Sequence, residues 1–190
     1  MLFRSIGDNA TVIAQDPANI NDPGVAIHAH DNSTVIDVAG AVAIGGSVGV
    51  GIGADVGAIV KTTEAYIAPK ADVTADGSVL VTADSSENVV SVSVSAGGAG
   101  SVAVNVSAGV YVLTVTTRAY IGGGVLDADG AVITADGNVV VAANETASAV
   151  ITSSNVAGAG TASIGGSAGI PVIVKTTEAF VGQKDRKSVV

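Results

Sequence analysis

The chain is organised around a segment that reads Lys61-Thr62-Thr63-Glu64-Ala65-Tyr66-Ile67. It returns as Thr116-Thr117-Arg118-Ala119-Tyr120-Ile121, and again as Lys175-Thr176-Thr177-Glu178-Ala179-Phe180-Val181. The first two copies are 54 residues apart and the next two are 60 residues apart. Similarity within a chain at such a spacing is typical of a repeat architecture.

Further elements follow the repeated segment in the same order. Ala75-Asp76-Gly77 and Ala135-Asp136-Gly137 each precede an apolar run, a polar patch and a Gly-rich stretch. The six extra residues of the longer copy lie within 122–130, which predicts a lengthened turn. An earlier copy begins near Ile6. The chain is therefore predicted to be one solenoid fragment over 1–184 with about three repeats, approximately 6–66, 67–120 and 121–181.

Alternation of period two predicts strands within each repeat. Val90, Val92 and Val94 alternate with serine, and Val is a better strand former than helix former. The uncharged stretches 89–117 and 146–174 are long enough to span a bilayer as helices. Their alternation and their glycines argue against helix, so we expect no transmembrane helix.

The amino-acid composition argues against several classes of function. Aromatic residues make up 3% of the chain and Trp is absent, whereas ligand pockets usually use aromatic side chains. The formal net charge of −9 argues against nucleic acid and against anionic membranes as partners. The absence of Cys excludes disulfides and zinc–thiolate sites. We expect no cofactor and no catalysis.

Short Val-rich strands separated by Asp-Gly turns predict an all-β, parallel β-solenoid. A repeat of 54–60 residues is long for one rung, so each repeat is expected to hold two or three. The alternative is one wide rung per repeat, in which Tyr66 and Tyr120 would be direct neighbours and Glu64 would pair with Arg118. The alternative is an antiparallel β-sandwich or barrel. Because Glu64 and Arg118 share a repeat position that is unlikely to be buried, Thr63, Ala65 and Ile67 should face the core, leaving Tyr66 partly exposed.

The order T-T-[ER]-A-Y-I-G, then A-D-G-x-V-x-V-x-A, then a Gly/Ala/Val-rich run ending in T-T resembles the repeats of large bacterial filamentous adhesins. These include the leukotoxin-family filamentous adhesins and related β-strand-repeat surface proteins. The resemblance covers about 6–182. It implies a right-handed parallel β-helix in an extracellular or cell-surface filament, and it implies no catalytic residues.

The function expected from this resemblance is a structural stalk segment of a secreted or surface-attached adhesin. Its neighbours would be further repeats of the same chain, and other parts of the full-length protein would contact a host or cell-surface receptor or glycan. The alternative is that this fibre face itself binds a carbohydrate or receptor. A polysaccharide-active β-helix enzyme is a remote alternative. Such a site needs clustered carboxylates with Arg or Lys, and Arg and Lys are sparse in this chain.

His28 and His30 are the residues most suggestive of a metal site. They flank Ala29 in a predicted strand, so both side chains point to one face, and Asp31 is adjacent. No third ligand has suitable spacing in the sequence, and the pair does not recur in the other repeats. We interpret it as an exposed pair without function.

Other motifs are interpreted as structural. Asp76-Gly77, Asp136-Gly137 and Asp127-Ala128-Asp129-Gly130 suggest calcium, but Asp-Gly is ordinary turn chemistry and the calcium β-roll pattern is absent. Gly45-Gly46-Ser47-Val48-Gly49 lacks the Lys of a phosphate-binding loop. Asn105-Val106-Ser107 and Asn144-Glu145-Thr146 fit the N-glycosylation pattern, which is expected to be inert in a bacterial protein.

The last six residues, 185–190, interrupt the repeat. They match the translation of a common sequencing adapter, which predicts a non-native tail. The alternative is a genuine charged loop.

Overall fold

The computed structural model describes residues 1–15, 23–123 and 129–182, together with the backbone of 186–189. Its regular structure is entirely β: β1 Leu2–Ile6, β2 Thr11–Ala14, β3 Pro23–Gly45, β4 Val48–Ile67, β5 Asp72–Ala75, β6 Ser78–Ala99, β7 Val102–Ile121, β8 Val132–Ala135, β9 Val139–Ala159, β10 Ala162–Val181 and β11 Arg186–Val189. Within these described ranges the chain forms no helix long and apolar enough to cross a membrane.

Three parallel sheets build a solenoid. Sheet A has the order β1-β4-β7-β10, sheet B the order β2-β5-β8-β11, and sheet C the order β3-β6-β9. Every paired strand is parallel to its neighbour. The predicted parallel β-solenoid is confirmed, and the antiparallel alternative was wrong. The right-handed winding implied by the resemblance stays a prediction.

Each repeat forms one wide rung, not two or three. β4, β5 and β6 complete one circuit, and Ala65, Ala119 and Ala179 are direct neighbours in the register of sheet A. The expectation was wrong because the Gly- and Ser-rich runs do not separate short strands. Most of each run lies inside strands of 20 to 23 residues in sheets A and C, and only the two residues between β3 and β4, β6 and β7, or β9 and β10 form a turn.

A compact apolar core lies where the three sheets meet. Thr63, Ala65 and Ile67 are fully buried there and Tyr66 is partly exposed, which confirms the predicted register. The core is built from small branched and Ala side chains of all three sheets, principally Ile27, Ile67, Val73, Val79, Val81, Ile121 and Ile133. Successive rungs supply similar residue types at these positions, so like side chains stack on one another along the fibre.

Away from this core, sheets A and C face each other directly. Along part of β6, the polar side chains there point inward and the apolar ones outward, the opposite of the arrangement in the core. Ser91, Ser93 and Ser95 of β6 point inward and are buried, whereas Val94 points outward and is 41% exposed. Near Gly97 the space between the sheets is small. A Cβ added to Gly97 would lie 2.7 Å from Nδ2 of Asn105, so no side chain fits at this inward position.

Two polar clusters lie between these sheets. Lys61 of β4 lies 2.8 Å from Glu87 and 2.9 Å from Asp31, and Ser85 also donates a hydrogen bond to Glu87. Burial acts to lower the pKa of Lys61, but its hydrogen bonds to the two carboxylates outweigh that effect and raise the pKa. The ammonium ion is thus held in its charged form inside the fold.

Tyr111 of β7 carries the second buried polar cluster. Its hydroxyl donates to Asp37 and also lies 3.2 Å from Asp55, which accepts a further hydrogen bond from Ser91. Burial, the hydrogen bond to Asp37 and the charge of Asp55 raise the pKa of Tyr111. The neutral phenol is therefore the favoured form over the whole physiological range.

The strand Arg186–Val189 pairs in parallel with β8, so the backbone of the terminal segment continues sheet B. The expectation that 185–190 is a non-native tail concerns its origin and stays a prediction. Residues 185 and 190 lie outside the described residues.

Candidate functional site

The repeated Thr-Thr segment places two columns of side chains on the outer surface of sheet A. Tyr66, Tyr120 and Phe180 form one column, because the register pairs them directly across β4, β7 and β10. Glu64, Arg118 and Glu178 form the other, two residues earlier in each strand. Side chains two residues apart in a strand share a face, so the columns lie side by side. We call these six residues the outer ladder.

The aromatic column of the outer ladder is a continuous stack. The ring centroids of Tyr66 and Tyr120 are 4.9 Å apart with an angle of 2° between the planes. Those of Tyr120 and Phe180 are 5.2 Å apart with an angle of 4°. These separations are close to the spacing of neighbouring strands, so the stack follows from one rung per repeat.

The charged column is held together by Arg118. Its Nε lies 2.9 Å from a carboxylate oxygen of Glu178, and its Nη1 lies 3.9 Å from Glu64. The Arg118 and Glu178 side chains are 40% and 46% exposed, so water screens this pairing and its contribution to stability is below about 1 kcal/mol. With two carboxylates around one guanidinium, the column carries a net negative charge.

A shallow cavity of about 280 Å³ opens beside the outer ladder. Pro69 and Gly122, from the turns after β4 and β7, line it together with the three aromatic rings and Arg118. Gly122 has a φ of 73°, a conformation that favours glycine. The cavity offers an aromatic wall with a few polar groups at its rim, which suits a small polar ligand with one apolar face.

The two histidines come together with a residue that sequence spacing did not reveal. His28 and His30 both lie exposed on β3, and the ligand atoms of both rings and of Asp84 lie within 4.8 Å of one another. Asp84 belongs to β6, one rung later, and pairs in register with His30. Asp31, the acidic neighbour in sequence, instead binds Lys61. Asp84 lies next to His30 only because each repeat forms a single rung.

The other candidate motifs occupy turns or the interior. Asp76-Gly77 and Asp136-Gly137 form the bends between β5 and β6 and between β8 and β9. Asp129 pairs with Lys70 at 3.2 Å, while 127 and 128 lie outside the described residues. In the part of the chain that the structure describes, the His28 cluster is the only group of three or more potential metal-ligating side chains.

The Gly-rich stretch lies at a turn, and the two Asn motifs lie on strands. Within the Gly45–Gly49 stretch, Gly46 and Ser47 make the tight turn from β3 into β4, and no helix begins there. Asn105 is fully buried and donates to the carbonyl of Val156 at 2.8 Å, so its amide is inaccessible to modification in the folded chain. Asn144 is exposed on β9 and hydrogen-bonds to Asp84 at 2.8 Å.

Comparison with protein-family models, with curated proteins and with solved structures gives no match to this chain.

Proposed function

We propose that this chain is a structural stalk segment of a secreted or surface-attached filamentous adhesin of bacteria, with no catalytic role. The observation that supports the proposal most is the unbroken parallel pairing of all three sheets from rung to rung. Backbone hydrogen bonds then run along one axis, and even the turns after β3, β6 and β9 are joined to one another. Such a stack extends by adding further repeats of the same kind.

One rung per repeat gives this stalk an unusual shape. Each repeat advances the fibre by one strand spacing, about 4.8 Å, whereas a 20-residue strand spans about 66 Å across it. The segment is thus a flat, wide ribbon. A reach of about 100 Å takes roughly 20 such repeats, so the proposal requires a very large parent protein.

The spacer role is tested by measuring reach. The chain is inserted in zero, one or two copies between an outer-membrane anchor and a fluorescent head, and energy transfer to a membrane dye reports the height of the head. Each copy should add about 15 Å, because it contributes three complete rungs. An unchanged height would contradict the spacer role. Increments of 30–45 Å would contradict one rung per repeat.

A second candidate function is glycan or receptor binding by the fibre's own surface, and the outer ladder favours it. The stacked rings present their edges to a neighbouring cavity, and this apolar wall can pack against the C–H groups of a sugar ring. Arg118 is already bound by two carboxylates, so an acidic sugar would meet net negative charge. A neutral oligosaccharide is therefore the ligand expected.

An array of neutral oligosaccharides tests this candidate. Wild type should bind, and Tyr120→Ala should reduce binding at least tenfold because it removes the central ring of the stack. Val112→Ala is the matched control, since Val112 is also outward on β7 and is 38% exposed. Equal binding by both variants, or no binding by wild type, would contradict the proposal.

A further inference from the structure

We propose that His28, His30 and Asp84 bind one divalent transition-metal ion of the zinc class and so link the first rung to the second. The inference is independent of the stalk role, because it rests on side chains of sheet C and not on the length of the fibre.

The geometry carries the proposal. His28 and His30 are on the outward side of β3, with ring centroids 5.9 Å apart. Asp84 faces them from β6, and one of its carboxylate oxygens is 2.8 Å from Nε2 of His28. All three ligand atoms lie within 4.8 Å of one another, so small rotations bring them to the 2.0–2.2 Å bonds of a tetrahedral zinc ion.

A second residue orients the carboxylate. Asn144, on the third rung, donates from Nδ2 to the other oxygen of Asp84 at 2.8 Å. That hydrogen bond holds Oδ1 away from the histidines and leaves Oδ2 directed at His28. Hydrogen-bond partners of this kind position metal ligands and raise affinity. Three successive rungs thus contribute to one site.

The chemistry of the three ligand side chains determines which metal ions fit. Two imidazoles and one carboxylate suit zinc, nickel and copper, whereas calcium and magnesium require oxygen ligands. The His28 side chain is 54% exposed, so the rings have room to turn and water has access to the fourth coordination position. Zinc coordinates the unprotonated nitrogen of each imidazole ring.

The whole chain, free of any affinity tag, is titrated with ZnCl₂ by isothermal calorimetry. The chain has two His and no Cys, so imidazole binding can be assigned to this site alone. Wild type should bind one equivalent. Asp84→Asn and His30→Ala should each weaken binding at least tenfold, and Asn144→Ala by about 10-fold. Asp72→Asn, which alters an exposed carboxylate in sheet B, is the matched control and should bind like wild type.

Thermal unfolding gives a second measurement. Zinc at a hundredfold excess over the wild-type dissociation constant should raise the unfolding midpoint of wild type by about 5–10 °C and that of Asp84→Asn by at most about half as much. Zinc-dependent shifts of the His ring protons in wild type keep the test decisive if a variant fails to fold. Absence of saturable binding, or equal affinity in wild type and Asp84→Asn, would overturn the proposal.

Discussion

Two adjacent glycines of β6 should respond oppositely to the same substitution. Gly97 points between the sheets, and an added Cβ would lie 2.7 Å from Nδ2 and 2.9 Å from Cγ of Asn105. Gly98 points outward, where the nearest atom is the Gly158 carbonyl oxygen at 3.9 Å. Neither residue has a positive φ, so alanine is compatible with both backbones. Only the space around each Cβ differs.

The magnitudes follow from these neighbours. Asn105 is fully buried and bonded to the Val156 carbonyl, so it cannot move aside without losing that bond. Overpacking costs about 1–3 kcal/mol, and the lost hydrogen bond adds about 1 kcal/mol. Alanine restricts the unfolded chain more than glycine does, and this effect stabilises both variants by about 0.4–1 kcal/mol. Gly97→Ala should therefore lower the free energy of unfolding by about 1–3 kcal/mol, and Gly98→Ala should raise it by about 0.4–1 kcal/mol.

Urea unfolding followed by far-ultraviolet circular dichroism measures both values. A double-mutant cycle isolates the cause, because the shorter side chain of Asn105→Ser removes the clash and Gly97→Ala should then cost less. The reasoning is refuted if Gly98→Ala is the more destabilising variant, or if the cost of Gly97→Ala is the same in both backgrounds. Either result would mean that Ser and Gly do not face inward in this half of the rung.

Three other predictions use the same arrangement. Folding raises the pKa values of Tyr111 and Lys61, so both groups stabilise the folded chain fully below their unfolded pKa values and lose this effect at higher pH. The free energy of unfolding should therefore fall above about pH 10, by up to about 1.4 kcal/mol per pH unit for each group. The fall should be less steep in Tyr111→Phe. Ile67→Ala should cost about 2–5 kcal/mol in urea unfolding because Ile67 is fully buried, whereas Ile52→Ala, at a position 68% exposed, should cost under about 0.5 kcal/mol; similar costs would contradict the register. The native chain should bind an apolar fluorescent dye through its outward Val and Ile side chains, and Ile44→Thr, at a position 87% exposed, should reduce the fluorescence without changing the unfolding midpoint; a lower midpoint would mean that Ile44 is buried.

The repeats made much of the fold predictable. Their alternation indicated strands, and their fixed order indicated a solenoid. A single repeat position shared by Glu64 and Arg118 was enough to place Thr63, Ala65 and Ile67 in the core. The inference succeeded because a strand has only two faces, so one residue that is too polar to bury fixes the direction of its neighbours.

The width of the rung was not predictable in the same way. Gly97 and Gly98 normally signal a break in a strand, but here both lie within β6, and the inward Gly97 allows two sheets to approach closely; only Gly100 lies in a turn. The proximity of His28, His30 and Asp84 was missed for the same reason. His30 meets Asp84 only if one repeat is one rung, since two or three rungs per repeat would place them about 10–15 Å apart.

The central claim is that successive repeats stack in register as single rungs, and spin labels test it most directly. The chain has no Cys, so labels attach only where cysteine is introduced. Ser86 and Thr146 are register partners on the outer side of sheet C, and their labels should lie about 5 Å apart and show strong spin–spin broadening. Labels at Ser86 and Ser154, about 26 Å apart along the strand, should show none. A spectrum of well-separated labels from the Ser86/Thr146 pair would contradict the account.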